Sequence, residues 1–299
     1  MNTVIANQYG QVQGEVGSNG LTLTIATNTP RRESLHLQTC IDSVEQELYL
    51  LAVLKAVERR IEQFQFRDSS TSEPQVHEPE NPVEETLSGE GELFNTSGSA
   101  KSKVYGRFPQ FAIYEQLEQG RLRVFFAVRD ESKRIARFDI HPGEIQALLA
   151  LARRSLFSSQ QIDLLIRDDI SFTLALTASG HGITFDAQTP VWHSQFTVSR
   201  ANDVAALQVF AHRVLGQRKV VPLIFGESDN RFIIKKRADG QVVAEFQHKG
   251  SFERTPLPTL KLHQFEIIAE YVLHRTFAPS NGKIGSVLNA ESSTASQVS

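Results

Sequence analysis

Cationic and aromatic side chains alternate along one short stretch, Arg121-Leu122-Arg123-Val124-Phe125-Phe126-Ala127-Val128-Arg129. In an extended strand successive side chains point to opposite faces. Leu122, Val124, Phe126 and Val128 therefore share one face, and Arg121, Arg123, Phe125 and Arg129 share the other. The apolar face would pack on a core. A face of guanidinium groups around a ring can neutralise a phosphate backbone and stack an unpaired base. Lys133 and Arg134 precede the next strand-like stretch, 135–140, which carries Arg137, so a hairpin gathers these cations near its turn. Lys235, Lys236 and Arg237 form a second basic end before the turn residues Ala238-Asp239-Gly240, with Lys249 after the following strand. Phe108, Phe111, Tyr114, Phe125, Phe232 and Phe252 are the candidate stacking rings. The candidate nucleic-acid-binding set is thus Arg121, Arg123, Phe125, Arg129, Lys133, Arg134, Arg137, Lys235, Lys236, Arg237 and Lys249.

No other constellation carries comparable chemistry. The nine histidines show no HxxxH or HExxH spacing, and surface or hydrogen-bonding roles are expected for them. Asp168-Asp169 reads as a turn between strands, and Gly180-His181-Gly182 lacks the strand and helix flanks of a phosphate-binding loop. With no nucleophile and base in view, the expectation is a non-enzymatic protein without cofactor or metal.

The elements that would carry these residues repeat. Strand-like stretches at 121–128 and 135–140 run into an amphipathic helix at 141–154, and 231–237 with 242–248 run into 261–276. Looser copies are 171–176 with 192–198 before 202–215, and 21–25 with 34–39 before 41–63. Such repetition governs the fold. Each helix has apolar residues at helical spacing: Leu48, Leu51, Leu54, Val57 and Ile61; Ile145, Leu148, Leu149 and Ala152; Val204, Leu207, Phe210, Ala211 and Val214; Phe265, Ile268, Val272 and Leu273. Pro142 suits a first-turn position, and Arg153 and Arg154 are expected at the end of that helix. The fold class is α+β, with tandem antiparallel sheets each followed by an amphipathic helix packed on the sheet. The stretch 162–176 is apolar and acidic, and 179–192 reads as a neutral loop, so this unit departs from the basic pattern.

Charge divides the chain further. Its net charge of −3 combines eight acidic and no basic residues over 68–100 with a basic excess over 101–299. The acidic strip, rich in Ser, Glu, Pro and Gly, is expected to be a disordered linker. The organisation expected is a small hairpin-and-helix unit over 1–67, this linker, a repeated body over 101–278 and a disordered tail over 279–299. One cysteine, Cys40, excludes an internal disulfide, and no membrane-spanning or signal-like segment is seen, which suits a cytoplasmic protein.

The stretch 111–154, repeated more loosely over 220–277, resembles the Whirly proteins and the related positive-cofactor-four coactivators. The likeness lies in topology and face pattern, and the KGKAAL-type stretch of plant Whirly proteins is absent. The resemblance implies binding of single-stranded DNA or RNA on strand faces, homo-oligomerisation through helices, and roles in DNA maintenance or transcription regulation. The acidic linker could compete for the same groove or recruit a basic protein partner. The alternative reading is a protein-interaction or assembly module with no nucleic-acid role.

Overall fold

The computed structural model describes residues 3–7, 10–18, 20–28, 34–69, 102–118, 121–129, 135–217, 219–227 and 229–277. Lys133, Arg134, most of the acidic segment and the tail lie outside the described residues.

Four copies of one unit follow each other along the chain. The first is β1 (Thr3–Asn7), β2 (Gly10–Gly17), β3 (Gly20–Asn28), β4 (Ser34–Ile41) and α1 (Val44–Ser69). The second is β5 (Ser102–Arg107), β6 (Phe111–Glu118), β7 (Arg121–Arg129), β8 (Ile135–Asp139) and α2 (Pro142–Ser158). The third is β9 (Ile162–Asp168), β10 (Thr173–Ser179), β11 (Gly182–Gln188), β12 (His193–Val198) and α3 (Ala201–Val214). The fourth is β13 (Leu223–Glu227), β14 (Asn230–Lys236), β15 (Val242–His248), β16 (Ser251–Pro256) and α4 (Thr259–Phe277). Each sheet is a four-stranded antiparallel meander in chain order.

This is the expected α+β repeat with more strands per unit than the hairpins alone suggested. The residues expected to form a neutral loop include β11, whose Ile183, Phe185 and Ala187 are completely buried. Period-two burial makes it a strand, and the polar residues between them cover its other face. Helix α2 runs to Ser158, so Arg153 and Arg154 sit before its last turn, and buried Leu156 extends its apolar stripe. Its start is as expected: Pro142 opens the helix and the His141 amide donates to Glu144 Oε2 at 2.7 Å.

Helices and sheets are exchanged between units. The principal helix–sheet contacts put α1 on the second sheet and α2 on the first, while α3 meets β13 of the fourth sheet and α4 meets β10 and β11 of the third. Two glycines mark the first exchange. A Cβ on Gly14 of β2 would lie 1.9 Å from Leu151 Cδ2 of α2, and one on Gly106 of β5 would lie 2.5 Å from Val53 Cγ2 of α1. Side chains there would push the helices off the sheets. The helices then pack on one another, α1 with α2, α3 with α4, and α1 with α4. A single apolar core runs from Val12 to Val272 through all four units.

Ion pairs stitch the helical layer. Lys55 of α1 reaches Glu266 of α4 at 2.9 Å, His212 of α3 approaches the same carboxylate at 3.2 Å, and Arg153 of α2 lies 3.1 Å from Glu270 of α4. His263 is only 2% exposed, because α4 lies in the middle of the layer and is buried on most sides. No helix among the described residues is long and apolar enough to cross a membrane.

Candidate nucleic-acid interface

Every sheet turns one face to the core and one outward, so the outward faces of the four units can be compared residue by residue. On β7, Val124, Phe126 and Val128 enter the core, and Arg121, Arg123, Phe125, Ala127 and Arg129 fall on the outer face. Strand register extends this face sideways. Ala127 pairs with Ala112 of β6 and Arg137 of β8, and Ala112 pairs with Arg107 of β5. One line of outward arginines thus runs along β7, and a second crosses it from Arg107 to Arg137.

At the crossing lies a small aromatic cluster of Tyr114, Phe125 and Ala127. The Tyr114 and Phe125 rings stack at 5.3 Å and 19°. Guanidinium groups of Arg123 and Arg137 lie 4.9 and 5.4 Å from the Phe125 centroid. Phe125 is therefore only 3% exposed, which corrects its expected role as a bare stacking platform. Its ring instead holds two arginines by cation–π contact, each worth ~0.5–1 kcal/mol at such a site. Arg123 also pairs with Asp139 across the strands at 2.5 Å. Arg121 and Arg137 are exposed and Arg129 is half-buried.

The fourth sheet offers a similar face with different fittings. Arg231, Ile233 and Lys235 of β14, Glu245 and Gln247 of β15, and Phe252 and Arg254 of β16 face outward by register. Glu245, 3% exposed, binds Lys235 Nζ at 2.8 Å and Arg254 at 2.5 Å. Burial alone would raise the pKa of Glu245, but the bonds from Lys235 and Arg254 outweigh it and hold the carboxyl below its usual range. Phe252 is 59% exposed beside Arg254, whose guanidinium is 5.8 Å from the ring. Of the six candidate rings it alone is strongly exposed: Phe108 and Phe111 stack on the inner side of the second sheet, and Phe232 is completely buried against Phe185.

Three of the expected cations belong elsewhere. Lys236 points inward, where its ammonium donates to the carbonyls of Val214 and Gln217 at the end of α3, at 3.0 and 2.9 Å. Because an isolated helix end leaves carbonyls without partners, a cation there is a cap before it is a binding group. Lys249 occupies the exposed Lys249-Gly250 turn with φ of +44°, and Arg237 the turn at the opposite end of β15, near Asp239. A seven-residue strand separates them, roughly 20 Å, so they do not meet on one site.

Among the described residues the other two sheets show no such face. Outward positions of the third sheet carry Asp163, Thr173, Thr177, Thr184, Asp186 and Thr197, with Asp186 taking bonds from His193 and Gln195. Outward positions of β2, β3 and β4 in the first carry Gln11, Gln13, Glu15, Thr22, Thr24, Gln38 and Cys40. Arg107 and Arg254 were missed in the sequence because β5 and β16 were not read as strands. Their signal was present, since Glu253 and Thr255 alternate with Phe252 and Arg254. Asp169 proves to be turn chemistry as expected, accepting from the Ser171 and Phe172 amides at 2.9 Å. Among the described residues no cluster of His, Cys, Asp and Glu could hold a metal ion. Comparison with protein-family models, with curated proteins and with solved structures finds no match.

Proposed function

We propose that this chain is a non-enzymatic single-stranded nucleic-acid-binding protein of DNA maintenance or transcription regulation, working through the outer faces of its second and fourth sheets. The observation that carries the reading is the crossed arrangement of Arg107, Arg121, Arg123, Arg129 and Arg137 around a stacked aromatic pair, on one sheet of a repeat whose first and third copies show no basic outer face among the described residues. Packing cannot require those arginines, because equivalent sheets fold with Gln and Thr in their place. The Whirly and positive-cofactor-four resemblance supports the same use of strand faces. An unpaired strand suits a broad, open pleated surface, since its bases are free to meet a ring such as Phe252 while phosphates meet the cations. The helical surfaces through which separate chains would join in that resemblance are largely covered here by other units of the same chain, so the reading does not require further copies.

Filter binding of a single-stranded oligonucleotide across a salt series tests it. Affinity should fall with added salt with a log–log slope of about −0.7 per phosphate neutralised. No binding at low salt, or binding indifferent to salt, would end the proposal.

The assembly-module reading draws on a specific observation as well. Asp139 and Glu245 already engage Arg123, Lys235 and Arg254, which lowers the charge those faces offer to a polyanion. Light scattering of the isolated chain, together with the salt series, separates the two.

A further inference from the structure

The sheet with the basic outer face is also the one at which the most acidic stretch of the chain re-enters the fold. Residues 70–100 carry seven glutamates between Glu73 and Glu92 and no Lys or Arg. The segment lies outside the described residues, but both of its anchors are in place. It departs from α1, which packs on the second sheet, and returns at Ser102, the first residue of β5, an edge strand of that sheet. Register fixes where the return point lies. Ser102 pairs with Gln116 of β6, and Gln116 pairs with Arg123 of β7, so the three stand in one row. With strands ~4.8 Å apart, the chain re-enters about 10 Å from the Arg123 backbone. Exposed Arg121 is two residues away on the same face.

Reach is not limiting. Glu92 precedes Ser102 by ten residues, a span of up to ~33 Å when extended, whereas the four strands are only ~14 Å across. The glutamates from Glu84 to Glu92 can therefore lie over exposed Arg121 and Arg137 and half-buried Arg129 without moving Ser102. Among the described residues no carboxylate partners those three arginines. The other outer faces suit an acidic segment less well. Those of the first and third sheets carry Glu15, Asp163 and Asp186, and on the fourth Glu245 already binds Lys235 and Arg254.

We propose that the outer face of the second sheet docks the chain's own acidic segment, residues 70–100, in the place where a nucleic-acid strand would lie. Docking stands on charge and tethering alone; its competition with a strand rests on the nucleic-acid reading above. A tethered segment is presented at an effective concentration of about a millimolar, so contacts too weak to hold a free peptide suffice. Being ionic and close to solvent, they are screened by salt.

A nitroxide on Ser88→Cys, with exposed Cys40 changed to Ser, reads the contact through paramagnetic broadening of backbone amide signals in the full chain. At low salt the β7 and β8 amides near Arg121 and Arg137 should broaden, and about 0.5 M salt should restore them. Arg121→Glu with Arg137→Glu should restore them as well, with melting as the check on its fold. Unbroadened β7 and β8 signals at low salt, or broadening centred on another sheet, overturns the proposal. Anisotropy with oligo-dT reads the competition. A chain with all seven glutamates changed to Gln should bind ~10-fold more tightly than wild type at low salt and equally at about 0.5 M. Equal affinity at low salt overturns the competition. Broadening that persists while neither chain binds oligo-dT supports the docking and ends the nucleic-acid reading instead.

Discussion

Arg137 and Arg254 occupy the same place in two different units: each sits on the last strand of its sheet, directly across from an outward residue of the third strand, Ala127 or Glu245. Each also lies over a ring, Phe125 or Phe252. The partner makes the difference. Beside Ala127, Arg137 leans on an aromatic face, whereas Arg254 is bound to the Glu245 carboxylate. The second sheet is thereby the stronger candidate for holding a polyanion, and the fourth is the one with an exposed ring.

Charge reversal at the two ends of β7, Arg121→Glu with Arg129→Glu, should abolish most nucleic-acid affinity and leave the fold intact. Surface substitutions of this kind usually alter stability by no more than ~0.5 kcal/mol. Salt-dependent binding and thermal melting measured on one preparation check both halves. Unfolding would show that these side chains face the core.

Arg123→Glu should behave differently. It sets a second carboxylate against Asp139 and uncovers Phe125, so a stability loss of about 1–2 kcal/mol is expected in addition to weaker binding. Denaturant titration separates this variant from the end-of-strand pair; an unchanged midpoint would mean that the Arg123–Asp139 pair is incidental.

The two rings should divide stability from binding. Phe252→Ala ought to cost ~1–3 kcal/mol of single-strand affinity with little change in melting, if a base stacks there. Phe125→Ala ought to destabilise the fold by ~3–5 kcal/mol, as truncations of buried aromatics do. Paired melting and anisotropy data decide.

Glu245→Gln removes the anion that occupies Lys235 and Arg254. Binding of single strands should tighten, and the salt slope should steepen by up to about one unit for each cation released. The same change should lower stability, since two cations lose a buried partner. Weaker binding would indicate that Glu245 positions its cations for the ligand instead of competing with it.

Acid should open the seam between α1 and α4. Burial alone would raise the pKa of Glu266, but His263 and Lys55 more than offset it and bring the carboxyl down to about 2. An unfolded Glu titrates near ~4.3, so this group's stabilisation is complete above that pH and is lost as pH falls towards 2. His263 is held below its usual pKa mainly by burial, and an unfolded His takes up its proton first as pH drops below ~6.5, so it also favours unfolding in acid. Melting temperature followed from pH 7 to pH 3 should therefore fall throughout. Glu266→Gln should lower it at pH 7, by leaving Lys55 without its closest carboxylate, and should flatten the curve below about pH 4. A wild-type curve that stays level to pH 3 would contradict this account.

Local pattern alone determined a good deal. The alternation along 121–129 put each side chain on the correct face, and the stripe Val204, Leu207, Phe210, Ala211 and Val214 is buried in full, because these signals depend only on the period of the element that carries them. Periodicity likewise disclosed the repeat, and the third unit's departure from the basic pattern is real at its outer face. Tertiary structure decided what each side chain meets. Lys236 became a helix cap, Phe125 went under two arginines, and Arg107 and Arg254 joined faces that no short stretch of sequence contains. Which sheet each helix covers was also beyond local pattern. An amphipathic stripe asks only for an apolar surface, and four similar sheets offered one; long-range geometry, with Gly14 and Gly106 leaving room for Leu151 and Val53, made the choice.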